Sequence, residues 1–351
     1  MFPDALPVVM IEENPLRTRA HRPSALVLSG PVVSGFVALF VLLAAAATGC
    51  GGSDSGAPSQ ASTGAAAGGV KRLKVVATTT QVADFVRNIG ADKVNVTQIL
   101  KPNVDPHDYE PSPADIQAFA QADLVVKNGV GLEKWLDEVV SSSGFHGTTI
   151  DASTGVSIIP GDGSAEEKAG DPHIWHNPQN VEIMARNIAA GFEAADAADK
   201  ATFEANLAAY TRKLNELDTW IAQQIGSLPA GQRKLVTNHD AFHYYVNRYH
   251  LTFVGSIIPS FDTSAELSGK SIADLVTKIK STGVKAIFSE SSLPPKTAEA
   301  IGRQAGVKVE AGEDSLYGDT LGPAGSPGAT YIDMERHNTA TIVTALKGLN
   351  G

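Results

Sequence analysis

From Phe192 to Ile225 the chain runs without a glycine or proline, and on both sides of that tract short apolar runs alternate with helix-patterned segments. Phe203, Leu207, Tyr210, Leu214, Leu217 and Ile221 follow steps of four and three, the stripe that a helix turns toward a core. Val181, Met184, Ile188 and Phe192 make a similar stripe just before it. The segment from Pro178 to Ile225 therefore reads as one long helix, bent near Asp196 to Asp199. Two packed helices fit the same pattern, and the sequence barely separates the two.

Ahead of this tract, Leu73 to Ala77 is strand-like, Gln81 to Ile89 helix-like, and Val94 to Leu100 a second strand by its β-branched content. A helix near Pro113 to Gln121, a strand at Leu124 to Val126 and a helix from Leu132 to Val140 follow. Behind it come strands at Lys234 to Thr237, Leu251 to Ile258, Val284 to Ser289 and Val307 to Glu310. Helices are expected between them at Asp240 to Tyr249, Ile272 to Thr282 and Pro295 to Ala305. Gly318 to Gly328 is a Gly/Pro loop, and Tyr331 to Leu346 the last helix. Strand–helix alternation implies an α/β fold with mainly parallel sheets covered by helices. The expected organisation is an α/β lobe over 71–177, a connecting helix over 178–228 and a second α/β lobe over 229–351.

The first 70 residues differ. Arg17, Arg19 and Arg22 precede an almost wholly apolar stretch from Val32 to Thr48, which ends in Ala47-Thr48-Gly49-Cys50. Charge, apolar core and small residues in that order mark a secretory signal, here 1–49, with translation starting at Met1 or Met10. The small-small-Cys ending resembles a bacterial lipobox, in which Cys50 becomes the lipidated N-terminus. An uncleaved anchor is the alternative, although about 20 apolar residues are needed for a comfortable span. Gly51 to Gly69 has no apolar periodicity and reads as part of a flexible tether over 50–70. Either way the folded part lies outside the cytoplasm and is tethered.

With 28 basic and 38 acidic residues the formal charge is −10. That argues against nucleic-acid binding, which needs clustered Lys and Arg. Cys50 is the single cysteine, so an intrachain disulfide is excluded and no thiolate can serve a metal in the folded part.

Candidate metal ligands sit in turn-rich loops: Asp105-Pro106-His107-Asp108-Tyr109-Glu110-Pro111, Asp171-Pro172-His173-Ile174-Trp175-His176-Asn177-Pro178, Asn238-His239-Asp240-Ala241-Phe242 and Glu313-Asp314-Ser315-Leu316. Three imidazoles and a carboxylate make a four-coordinate set for a borderline first-row divalent metal. His107, His239 and Asp314 follow expected strands and His173 precedes the helical tract, so all four can face one crevice at strand C-terminal ends. Each has a plainer explanation. His107 can be a surface-loop histidine, His239 a helix-start histidine, and Asp314 a turn cap. Chemistry alone allows His173 or His176. His239 and His243 would form an i, i+4 pair on one helical face, but without the Glu of a His-Glu-x-x-His motif. Glu290, Asp240 and Glu110 are candidates for accepting the outer N–H of a ligating imidazole, or are solvated acids.

These motifs, together with Tyr331-Ile332-Asp333-Met334 and His337-Asn338, resemble the solute-binding lipoproteins of bacterial ABC transporters for zinc, manganese or iron, from Leu73 to about Leu346. The resemblance implies two lobes joined by one rigid helix with little closing motion, and metal held by His107, His173, His239 and Asp314. In the family the third ligand is His or Glu. His here resembles the zinc end, although manganese binders with His exist, and no long His- and acid-rich loop follows His107. His176 stands where the family commonly has an apolar residue, which leaves a fifth ligand open.

The expectation is a monomeric, lipid-anchored, extracytoplasmic receptor that delivers zinc, or next manganese, to an ABC permease and performs no chemistry. A zinc hydrolase would need an open coordination position and a base such as Glu290. A surface adhesin on the same fold is the third class.

Overall fold

The computed structural model describes residues 72–164 and 167–348. The expected signal segment, Cys50 and the tether lie outside the described residues. Strand β1 (Leu73–Ala77) is buried at every position but Lys74. It pairs in parallel with β2 (Val94–Gln98) on one side and β3 (Leu124–Lys127) on the other. A fourth parallel strand, β4 (Thr148–Asp151), completes the order β2-β1-β3-β4. Only Ile150 of its four residues is buried, so no apolar run announces it in the sequence.

Helix α1 (Thr80–Gly90) starts where the Thr79 hydroxyl accepts a hydrogen bond from the Val82 N–H. Helix α2 (Pro113–Ala120) opens with a reciprocal Ser112–Asp115 capping box and proline in its first turn. Helix α3 (Leu136–Ser143) begins later than its apolar pattern suggests. The residues before it are occupied otherwise: the Glu133 carboxylate accepts from the Asn128 and Gly129 N–H groups and the Thr78 hydroxyl.

The tract expected as one helix over 178–228 is two. Helix α4 (Pro178–Ala195) ends at Asp196, whose φ of −143° and ψ of 81° leave the helical region, and whose carboxylate caps a 3-10 turn over Ala197–Asp199. Helix α5 (Lys200–Gly226) then folds back against α4, with the Phe192 and Phe203 rings 5.5 Å apart across the hairpin. The apolar stripes of both tracts pack together, and both periodicities run unbroken through a reversal that only four residues encode.

Beyond α5, β5 (Lys234–His239) pairs in parallel with β6 (Thr252–Ile258). The short helix α6 (His243–Tyr249) lies between them in sequence. Helix α7 (Gly269–Thr282) leads to β7 (Ala286–Phe288), helix α8 (Lys296–Ala305) and β8 (Lys308–Glu310), which pairs in parallel with β7. Helix α9 (Tyr331–Lys347) closes the described chain. Helix α5 touches α1, α4, α6 and α9. One apolar core runs through it, from Val75 and Phe85 to Phe288 and Tyr331. Among the described residues no helix is long and apolar enough to cross a membrane.

Candidate metal centre

Three imidazoles and one carboxylate converge where the loops beyond the strands meet. The Nε2 atoms of His107 and His239 lie 3.3 and 3.2 Å from Nε2 of His173. Asp319 Oδ1 lies 3.3 Å from Nε2 of both His173 and His239, and 3.9 Å from that of His107. All four donor atoms fall within 4.8 Å of one another. The side chains of His173, His239 and Asp319 are fully buried, and that of His107 is 3 % exposed.

Each donor is aimed from behind. The His107 N–H donates to Asp105 Oδ1, and Asp105 Oδ2 accepts from the Thr263 hydroxyl, which ties this loop to the second half of the chain. Nδ1 of His173 lies 2.8 Å from Asp171 Oδ1, and Asn128 Nδ2 donates to the Pro172 carbonyl just ahead of it. His239 is the last residue of β5 and not the first of a helix, and its Nδ1 faces Glu290 Oε2 at 3.0 Å. A carboxylate behind Nδ1 fixes the proton there and leaves the Nε2 lone pair directed inward. Glu290 thus sits where the sequence suggests. Asp240 does not: its N–H donates to the Ser260 carbonyl, its Oδ1 is buried without a partner, and burial raises its pKa. Glu110 is exposed. His243 forms no helical pair with His239; its Nδ1 faces Asp171 Oδ2 at 3.4 Å.

The fourth donor is Asp319, and Asp314 is corrected to a surface position. Asp314 ends an exposed 3-10 turn over Gly312–Asp314, and its N–H is spent on the Ala311 carbonyl. The chain enters the interior only afterwards, where the Leu316 N–H donates to the Ser289 carbonyl, and it reaches the imidazoles at Asp319. Asp319 stands as far beyond the end of β8 as His107 stands beyond the end of β2, an equivalence that the observed strand ends reveal. His176 is outside the cluster. Its Nδ1 lies 2.8 Å from Glu335 Oε1 and its Nε2 3.0 Å from the Gly318 carbonyl, so both ring nitrogens are engaged.

Neither oxygen of Asp319 has a hydrogen-bond partner, although the residue is 1 % exposed. A buried carboxylate left in that state needs a cation or protonated neighbours. Burial opposes charge on His173, but Asp171 and Asp319 outweigh it and push its pKa up to about 9. His239 is likewise carried well above the usual range by Asp319 and Glu290 against its burial. Burial would raise the pKa of Asp319, yet the three imidazoles hold it well below the ordinary carboxylate range. Without metal these carboxylates favour protons on the imidazoles. A divalent cation would replace those protons with one centre that meets four inward-facing donors, in a geometry suited to tetrahedral coordination.

A buried cage of this composition on parallel α/β sheets has the donor set of a protein that holds a divalent metal. The comparisons agree. Residues 75–345 match the model of the family described as zinc-uptake complex component A, periplasmic, and the chain belongs to that family. The metal ABC transporter substrate-binding lipoprotein ScbA of Streptococcus cristatus is 32% identical over 284 residues, which cover 79% of this chain and 90% of the relative. The manganese ABC transporter substrate-binding lipoprotein PsaA of Streptococcus pneumoniae is 32% identical over 281 residues, with 78% and 89% covered. Among solved structures, the periplasmic zinc-binding protein TroA of Treponema pallidum superposes with a TM-score of 0.72 at 29% identity, covering 78% of this chain and 99% of its own.

Proposed function

We propose that this chain is the extracytoplasmic capture component of an ABC importer for divalent first-row metals, with zinc as preferred cargo and manganese next. The observation that carries the reading is the convergence of His107, His173, His239 and Asp319 on one point, with both Asp319 oxygens otherwise unpartnered. These four hold the cargo. Three imidazoles suit zinc better than manganese, which favours oxygen-rich sets, and zinc outranks manganese in intrinsic affinity. The relatives' names divide between the two metals, manganese for PsaA and zinc for TroA. They are transport receptors and not enzymes, and four protein donors leave no open position for a hydrolytic water. Lipid on Cys50 would tether a monomer beside its permease, with two lobes on the rigid α5 undergoing little closure.

The test is metal content by mass spectrometry after native purification from the producing organism, with Asp319→Ala alongside. About one zinc per chain, lost in the variant, is expected. One manganese would keep the receptor and replace the cargo. A chain that carries no metal and takes up neither zinc nor manganese on addition would sink the reading.

A further inference from the structure

Behind the four donors lies a second buried polar pair that the metal reading does not use. His176 and Glu335 are both 0% exposed. The His176 ring stacks on Phe242 with centroids 4.3 Å apart, so it cannot swing freely. Through Nδ1 it meets Glu335 on α9, and through Nε2 the carbonyl of Gly318. The same carbonyl accepts the indole N–H of Trp175 at 3.0 Å. Gly318 directly precedes Asp319. On its other side, a Cβ added to Gly318 would lie 2.1 Å from Glu290 Oε2, so this peptide has no room to retreat. The carbonyl of Asp319 itself accepts from Gln81 Nε2 on α1 at 2.8 Å.

We propose that His176 is a positioning residue and not a fifth ligand. Anchored to Glu335, it clamps the Gly318 peptide and so aims the Asp319 carboxylate at the three imidazoles. The inference rests on the capture reading of those four donors. Both nitrogens of His176 are committed, so neither lone pair is free for a metal. The clamp reaches the site from α9, an element that supplies no donor.

The experiment compares the unaltered chain with the double variant His176→Leu/Glu335→Leu. Replacing both members of this buried hydrogen-bonded pair by apolar side chains leaves neither group without its partner, so metal-free melting should stay near that of the unaltered chain. Zinc affinity, by chelator competition, should fall at least tenfold, on the scale of losing an outer support of a metal site. X-ray absorption of the zinc-loaded unaltered chain should count three imidazoles. Unchanged affinity in a folded double variant, or a fourth imidazole on zinc, overturns the proposal. Should the double variant not fold, Glu335→Gln and Glu335→Met decide: the amide can still meet Nδ1, so the first should lose under threefold and the second at least tenfold. Equal affinities would overturn the clamp. If the unaltered chain takes up neither zinc nor manganese, the capture reading fails and this inference falls with it. Zinc uptake with an indifferent double variant removes the clamp alone.

Discussion

Asp319 and Asp314 lie five positions apart in one loop, yet only one carboxylate reaches the imidazoles. Replacing Asp319 by Ala should weaken zinc binding by at least about tenfold, whereas Asp314→Ala should leave titration calorimetry unchanged. The reverse ranking would return the fourth donor to Asp314. The three histidines were legible in the sequence through the motifs shared with the family, since chemistry alone left His173 and His176 as alternatives. The carboxylate was not: its loop is marked only by glycine and proline, and residue type alone cannot distinguish a solvated turn aspartate from a buried one. Protonation gives a second expectation. A proton on His173 occupies the lone pair that metal needs, and the pKa near 9 means such protons persist at neutral pH. Apparent zinc affinity should therefore climb from pH 6 and level off only near pH 9, with protons released on binding. Calorimetry in buffers of different ionisation enthalpy reads that release, and a profile flat across this range would contradict it.

The helices and loops that carry these residues have vulnerabilities of their own. Gly318→Ala places a methyl carbon where Glu290 stands and should displace the support of His239. Weakened zinc binding, together with lowered metal-free melting from the crowding, is the expected signature. On α1, Asp84 is 9 % exposed, and burial pushes its pKa up to about 6, although the Tyr331 N–H and Arg87 pull the other way. Its folded pKa exceeds the unfolded value of 3.8, so the folded chain holds that proton more tightly. The resulting stability is present in acid and lost as pH rises from about 4 through 6. Asp84→Asn should accordingly stabilise the fold at pH 7.5 by up to roughly 3 kcal/mol and have little effect near pH 4. Urea titrations at the two pH values measure the difference. Helix existence was readable along most of the chain from apolar periodicity. The interruption near Asp196 to Asp199 was readable as a bend, but apolar spacing did not separate a bend from the full reversal, and the late start of α3 was not readable because it arises from the Glu133 carboxylate binding backbone groups.

Across the molecule, α5 joins a core built from both halves of the chain, and its face carries Phe203, Leu214, Leu217 and Ile221, all fully buried. Leu214→Ala should cost about 2–5 kcal/mol, and unfolding should remain a single calorimetric transition. Two separated transitions would show that the halves hold together independently of α5. The alternating pattern revealed the α/β class, because parallel strands covered by helices read as short apolar runs. The four-residue strand β4 escaped, having a single buried apolar residue, Ile150.

The four inward-facing donors are scattered from His107 to Asp319, with the α4–α5 hairpin between the second and third. A polypeptide delivered from its N-terminus thus presents three imidazoles well before the carboxylate that completes the set. The finished cage comes into being only where the final segment arrives and α9 docks. A chain cut short ahead of that segment would carry three imidazoles and no closing carboxylate.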